Sequence, residues 1–167
     1  MKIDKEYIEF LNSQKDNIAK NNFKQVYDTI KANFRLDEQI ITQCFLNAGI
    51  NPLSYMDEIP SRFLINSSVE YFTIPGRNIT KIGEYAFYNC LNLKTIYIPD
   101  SVKDIDAYAF YGCKSLNIRI PKTVKHIGLS AFDSRSRIMY EGSAKEFDDI
   151  CGHKSFVAFL NIEFENK

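Results

Sequence analysis

Few residues in this 167-residue chain are of types that do chemistry, and their spacing suits it poorly. There are two histidines, His126 and His153, and four cysteines, Cys44, Cys90, Cys113 and Cys151. A catalytic Ser or Cys needs a base within hydrogen-bond reach, and neither histidine has such a setting in the sequence. Structural zinc sites take cysteines in close pairs; here the spacings are 46, 23 and 38, so no zinc site is expected. Asp148 and Asp149 sit together on a predicted helix and read as a solvated face. No glycine-rich phosphate-binding motif is present. No catalytic residue, metal ligand or cofactor-binding residue is therefore nominated. The chain is not expected to be an enzyme or to need a cofactor.

The 23-residue step between Cys90 and Cys113 has a different origin. Ile82-Gly83-Glu84-Tyr85-Ala86-Phe87-Tyr88-Asn89-Cys90 recurs as Ile105-Asp106-Ala107-Tyr108-Ala109-Phe110-Tyr111-Gly112-Cys113. It returns, degraded, as Ile127-Gly128-Leu129-Ser130-Ala131-Phe132, so the steps are 23 and 22 residues. A second block follows each of the first two: Leu93-Lys94-Thr95-Ile96-Tyr97-Ile98-Pro99 and Leu116-Asn117-Ile118-Arg119-Ile120-Pro121. An earlier half-coil ends at Tyr71-Phe72-Thr73-Ile74-Pro75. A period of 22–23 falls in the leucine-rich-repeat range. One such coil cannot bury its own apolar side; stacked coils bury equivalent residues in columns. The expected columns are Ile82/Ile105/Ile127, Phe87/Phe110/Phe132 and Ile98/Ile120. Cys90 and Cys113 form another, read as buried free thiols. Strands ~4.8 Å apart would leave a disulfide within reach, but a reducing compartment argues against one.

Alternation of apolar and polar residues predicts short parallel strands at Tyr71–Ile74, Thr95–Ile98, Asn117–Ile120 and Arg137–Tyr140, forming one sheet. Phe72/Ile74, Ile96/Ile98, Ile118/Ile120 and Ile138/Tyr140 face inward. Two outward ladders result: Tyr71, Thr95, Asn117 and Arg137 in one, Thr73, Tyr97, Arg119 and Met139 in the other. These eight residues are the candidate binding site, because Tyr and Arg are enriched in binding hot spots and Met adapts to irregular partners. Tyr85, Tyr88, Tyr108 and Tyr111 form a second aromatic column that packs sideways between coils. His126 occupies the slot held by Lys81 and Asp104 in other coils, a variable surface position.

The phrase running intact from Ile82 to Val102 resembles the BspA-like leucine-rich repeat. The second coil keeps nearly all of it, with Asp106 in place of Gly and one residue deleted before Ile118; the third loses the Cys and the Pro. Residues 138–147 are similar to the family's closing coil: a strand, a Gly turn and a capping helix. The resemblance covers about residues 67–164. It implies a right-handed solenoid used for protein binding, and members occur as surface adhesins and inside bacterial and phage-encoded proteins.

The ends are read separately. Tyr7, Ile8 and Leu11, then Phe23, Val26, Tyr27, Ile30 and Phe34, follow the 3/4 spacing of an apolar helical stripe. Leu36–Leu46 reads as a further helix, and 50–66 as a connector stopped near Pro60. Residues 1–66 are expected to be a helical cap or a binding module. Ser143 with Glu146 three residues later predicts a capped helix to about Cys151, and Phe156–Phe164 a last strand with Ile162 and Phe164 inward.

The expected architecture is α+β: a helical N-terminal cap over 1–66, then a short solenoid with a parallel strand ladder over 67–167. Net charge is zero, with −1 over residues 1–66, +4 over 67–137 and −3 over 138–167. A nucleic-acid binder carries a stronger basic excess, so nucleic acid is not the expected partner. The charged start and the lack of a ~20-residue apolar run predict a cytoplasmic protein without a membrane segment. A cell-surface location is the alternative if the chain is a fragment. The expected function is non-enzymatic: an intracellular module that binds or inhibits a host protein, of the anti-defence kind that phages and mobile elements encode. A surface-adhesin repeat fragment and a helix-mediated homodimeric scaffold are the alternatives, so the chain is expected as monomer or homodimer.

Overall fold

A computed structural model describes residues 5–14, 18, 23–34, 41–42, 45–46, 49–74, 78–152 and 159–165. The chain divides into two units, Met1–Met56 and Asp57–Lys167. The expected boundary at 66/67 thus moves ten residues toward the N-terminus.

The first unit holds α1 (Lys5–Ser13) and α2 (Phe23–Phe34), with a 3-10 turn at Pro52–Ser54. Its core takes Leu11, Ile18, Phe23, Val26, Tyr27, Ile30, Ile41 and Phe45, so the apolar stripe is buried where it is described. The Phe23 ring lies 4.9 Å from Phe45 and stacks on Tyr55 at 5.3 Å. Asn51 opens the 3-10 turn by accepting from the Leu53 amide, with Pro52 supplying a preset φ. Of the helix expected over 36–46, only 41–42 and 45–46 are described, and they are helical. The side chains of Tyr7, Ile8 and Phe34, and residue Cys44, lie outside the described residues.

The second unit is a parallel-strand solenoid of about four turns. Its strands are β1 (Glu58–Ile59), β2 (Tyr71–Thr73), β3 (Lys81–Ile82), β4 (Thr95–Tyr97), β5 (Asp104–Ile105), β6 (Asn117–Ile120), β7 (His126–Ile127), β8 (Arg137–Tyr140) and β9 (Asn161–Phe164). They form two sheets rather than the single one expected: β1-β3-β5-β7 and β2-β4-β6-β8-β9. The second sheet arises because the Ile59/Ile82/Ile105/Ile127 column is itself a ladder of two-residue strands. Once one sheet sets the coil spacing, the opposite side of each coil meets its neighbour at the same spacing.

The columns between the sheets are buried. Phe87, Phe110 and Phe132 are fully buried and stack with centroids 5.2 and 5.6 Å apart and planes within 5°. Cys90 and Cys113 are free and buried, and each Sγ donates to the carbonyl of the previous coil, Leu64 and Phe87, at 3.0 Å. The thiols thus satisfy backbone acceptors between coils. Gly128 is fixed by crowding: a Cβ there would sit 2.3 Å from the Ala107 nitrogen.

Residues 57–66, read from sequence as a connector, begin the first coil. Ile59 pairs with Ile82, and the amides of Arg62, Leu64 and Asn66 donate to the carbonyls of Glu84, Ala86 and Tyr88. The rung was hidden because its aromatic residue moved by one place. Phe63 stands where later coils carry Ala, and its ring still reaches Phe87 at 6.2 Å.

At the other end, Ser143 caps α3 (Ala144–Ile150) in a complete capping box with Glu146, as expected. Phe147 on α3 is fully buried between Tyr140 and Phe164, 5.2 and 6.2 Å away. β9 is shorter than the strand expected from Phe156; residues 156–158 lie outside the described residues. Ile162 and Phe164 pair with Ile138 and Tyr140, so the inward alternation holds.

Candidate functional site

The five-stranded sheet turns alternate side chains outward, and its register places all eight candidate residues on one face. The first ladder is Tyr71, Thr95, Asn117, Arg137; the second is Thr73, Tyr97, Arg119, Met139. β9 extends them by Asn161 and Glu163. The inward partners Ile74, Ile96, Ile98, Ile118, Ile120, Ile138 and Tyr140 are buried, which holds the outward residues in place.

The face has two zones. Toward β2 the outward strand residues are uncharged: Tyr71 and Tyr97 are 65% and 62% exposed, with Thr73, Thr95 and Asn117 beside them. Lys94 approaches the Tyr71 ring at 5.6 Å while bonded to Glu70 at 2.7 Å, and that carboxylate holds its ammonium above the usual lysine range. Toward β9 the arginines are engaged. Arg119 is gripped by Glu141 at 2.6 Å and Glu165 at 2.9 Å, and Arg137 by Glu163 at 2.6 Å. The Glu141 contact holds the Arg119 guanidinium further above its ordinary pKa. Arg119, Lys122, Glu141, Ser143, Glu146 and Glu165 line a cavity of about 310 Å³ beside this zone.

Sequence reasoning missed those carboxylates. Glu163 was legible in principle, since alternation in β9 sends it outward opposite Met139. Glu141 and Glu165 each stand one residue beyond the end of a strand, β8 and β9.

The tyrosine column packs between coils as the repeat implied. Tyr85 stacks on Tyr108 at 5.1 Å and Tyr88 on Tyr111 at 5.8 Å. Tyr85 and Tyr108 have φ of 58° and 57°, a left-handed conformation costing roughly 1–2 kcal/mol for such residues. Arg62 and Ser130 occupy the same turn position with φ of 59° and 49°. Three of these turns are held by an amide that donates to the next coil: Arg62 to Glu84, Tyr85 to Ala107 and Tyr108 to Leu129.

His126 lies exposed on β7 in register with Asp104 and Lys81, the variable surface slot. Among the described residues, no group of three or more His, Cys, Asp or Glu side chains could hold a metal ion. Burial pushes the Cys151 thiol up to about 11. His153 lies outside the described residues. No helix among the described residues is long and apolar enough to cross a membrane.

Two parallel ladders closed by a capping helix define a leucine-rich-repeat solenoid. The family model for the BspA type leucine-rich repeat region matches residues 57–156 in six copies, and the chain belongs to that family. The match starts where the first coil starts. No curated protein and no solved structure matches the chain. Repeats of this family are typically non-catalytic modules of protein interaction.

Proposed function

We propose that this chain is a protein-binding module whose docking surface is the outward face of the β2-β4-β6-β8-β9 sheet. One observation carries the reading: two large tyrosines stand more than 60% exposed on a sheet whose inner strands are buried on the opposite side. Rigid aromatic side chains on a fixed scaffold offer large contact area at low entropic cost. In its sharper form the module works inside the cell, binding and blocking a host protein as phage or mobile-element products do. The near-neutral charge is in keeping with a protein partner rather than a nucleic acid.

The test compares wild type with a variant carrying Ala at Tyr97, Arg119 and Arg137 in affinity capture from the host, read by mass spectrometry. The expected result is a partner retained by wild type and lost by the variant, with thermal stability nearly unchanged. Arg119 and Arg137 are more than half exposed, so solvent screens their ion pairs and they add little to the stability of the fold. Equal capture by both proteins would move the docking surface off this face.

A further inference from the structure

We propose that the outer edge of β9 docks a second copy of this chain, strand against strand, about a two-fold axis at Ile162. Among the described residues, β9 is the last strand of its sheet and has no neighbour beyond it. The edge is also apolar: Phe159 is 72% exposed, and Leu160, Ile162 and Phe164 are only half-buried. The other inward residues of the sheet's inner strands are buried.

The parallel pairing with β8 decides which backbone groups are free. The Glu165 amide donates to the Tyr140 carbonyl at 2.9 Å, and Tyr140 is in register with Phe164. In a parallel ladder this sends the amides and carbonyls of odd-numbered residues of β9 toward β8. Those of Ile162 and Phe164 therefore point to the open side, where an exposed edge invites another strand.

Two antiparallel self-pairings centred on the middle residues of β9 use these groups. One centres on Glu163 and sets its carboxylate against its own copy in the closely spaced, non-hydrogen-bonded pair, which like charges oppose. The other centres on Ile162. There each Ile162 exchanges two backbone bonds with its copy, and Leu160 faces the partner's Phe164 on the inner side. Asn161 faces the partner's Glu163 on the outer side, an amide beside a carboxylate. Free backbone groups, apolar side and charge all select this second register, and the same chemistry repeats on both sides of the axis. That self-complementarity is what identifies the occupant as a second copy. The dimer joins two five-stranded sheets edge to edge and sets two docking faces side by side.

Sedimentation velocity of the full chain from about 1 µM to about 1 mM tests this, a span covering weak to moderate affinities. The expected result is a reversible shift from 19.3 kDa to twice that mass. Ile162→Pro removes a donor that faces only the second copy, at an edge where proline is tolerated, and is expected to leave a monomer. Asn161→Asp sets carboxylates opposite each other twice across the axis and is expected to weaken the dimer about fivefold or more. Asn161 is exposed and in register with Arg137, so this second variant keeps its fold if Ile162→Pro does not. A wild type that stays monomeric throughout overturns the proposal. A dimer that Asn161→Asp leaves unchanged overturns the Ile162-centred register, and with it the reason for choosing a second copy.

Discussion

Removing the Phe110 ring probes the stacked column at its centre. Phe110 is fully buried, with Phe87 at 5.2 Å on one face and Phe132 at 5.6 Å on the other. Phe→Ala in a core costs about 3–5 kcal/mol, the lost transfer energy plus the cavity. Two stacked neighbours put Phe110→Ala in the upper part of that range, since each aromatic pair contributes about 0.5–1.5 kcal/mol beyond area. Phe132 has one ring partner among the described residues, so Phe132→Ala should cost about 1 kcal/mol less. For a chain of this length, 3 kcal/mol lowers the melting temperature by about 6–12 °C. The assay is urea titration followed by near-ultraviolet circular dichroism of the tyrosines. That signal reports the solenoid through the Tyr85, Tyr88, Tyr108 and Tyr111 stacks. A loss under about 1 kcal/mol for Phe110→Ala, or a larger loss for Phe132→Ala, would refute the stacked-column account.

Gly128→Ala forces a Cβ to within 2.3 Å of the Ala107 nitrogen, and is expected to lower stability by at least about 1–3 kcal/mol in the same titration. A neutral result would mean that the coils can separate there at no cost. Glu146 is held below the usual carboxylate range, chiefly by the Ser143 amide and then by its hydroxyl. A depressed folded pKa stabilises above the unfolded value, and that stability is lost as pH falls through the folded one. Glu146→Ala should therefore melt earlier than wild type at about pH 7, and the gap should narrow as pH falls below the usual carboxylate range; a gap that does not change with pH would count against the capping box. Cys90 and Cys113 are fully buried, so site-resolved alkylation at about pH 8 should label them only after unfolding. Labelling at the rate of a free thiol in the native protein would show that the coils open readily. Cys151, with its thiol pushed up to about 11 by burial, should also react more slowly than a free thiol.

The repeat was legible in the sequence because burial imposes a period. Ile82, Ile105 and Ile127 must share a column, so the chain repeats apolar residues at the coil length, and strand register and inward faces follow. The same logic placed Tyr71, Tyr97, Arg119 and Arg137 on one outward face before any coordinates. The first coil escaped because Phe63 took the Ala slot, which preserves the packing while breaking the written phrase. Tertiary structure alone decided what surrounds the outward residues. Arg119 is bound by carboxylates 22 and 46 residues away, and Arg137 by one 26 residues away. Those separations are about one or two coil lengths, but stacking fixes only which coils are neighbours; the residue type at each surface position is free to vary. Likewise Tyr85 and Tyr108 give no sequence sign of their left-handed turns, because the amide bonds to the next coil that hold those turns exist only once the coils have stacked.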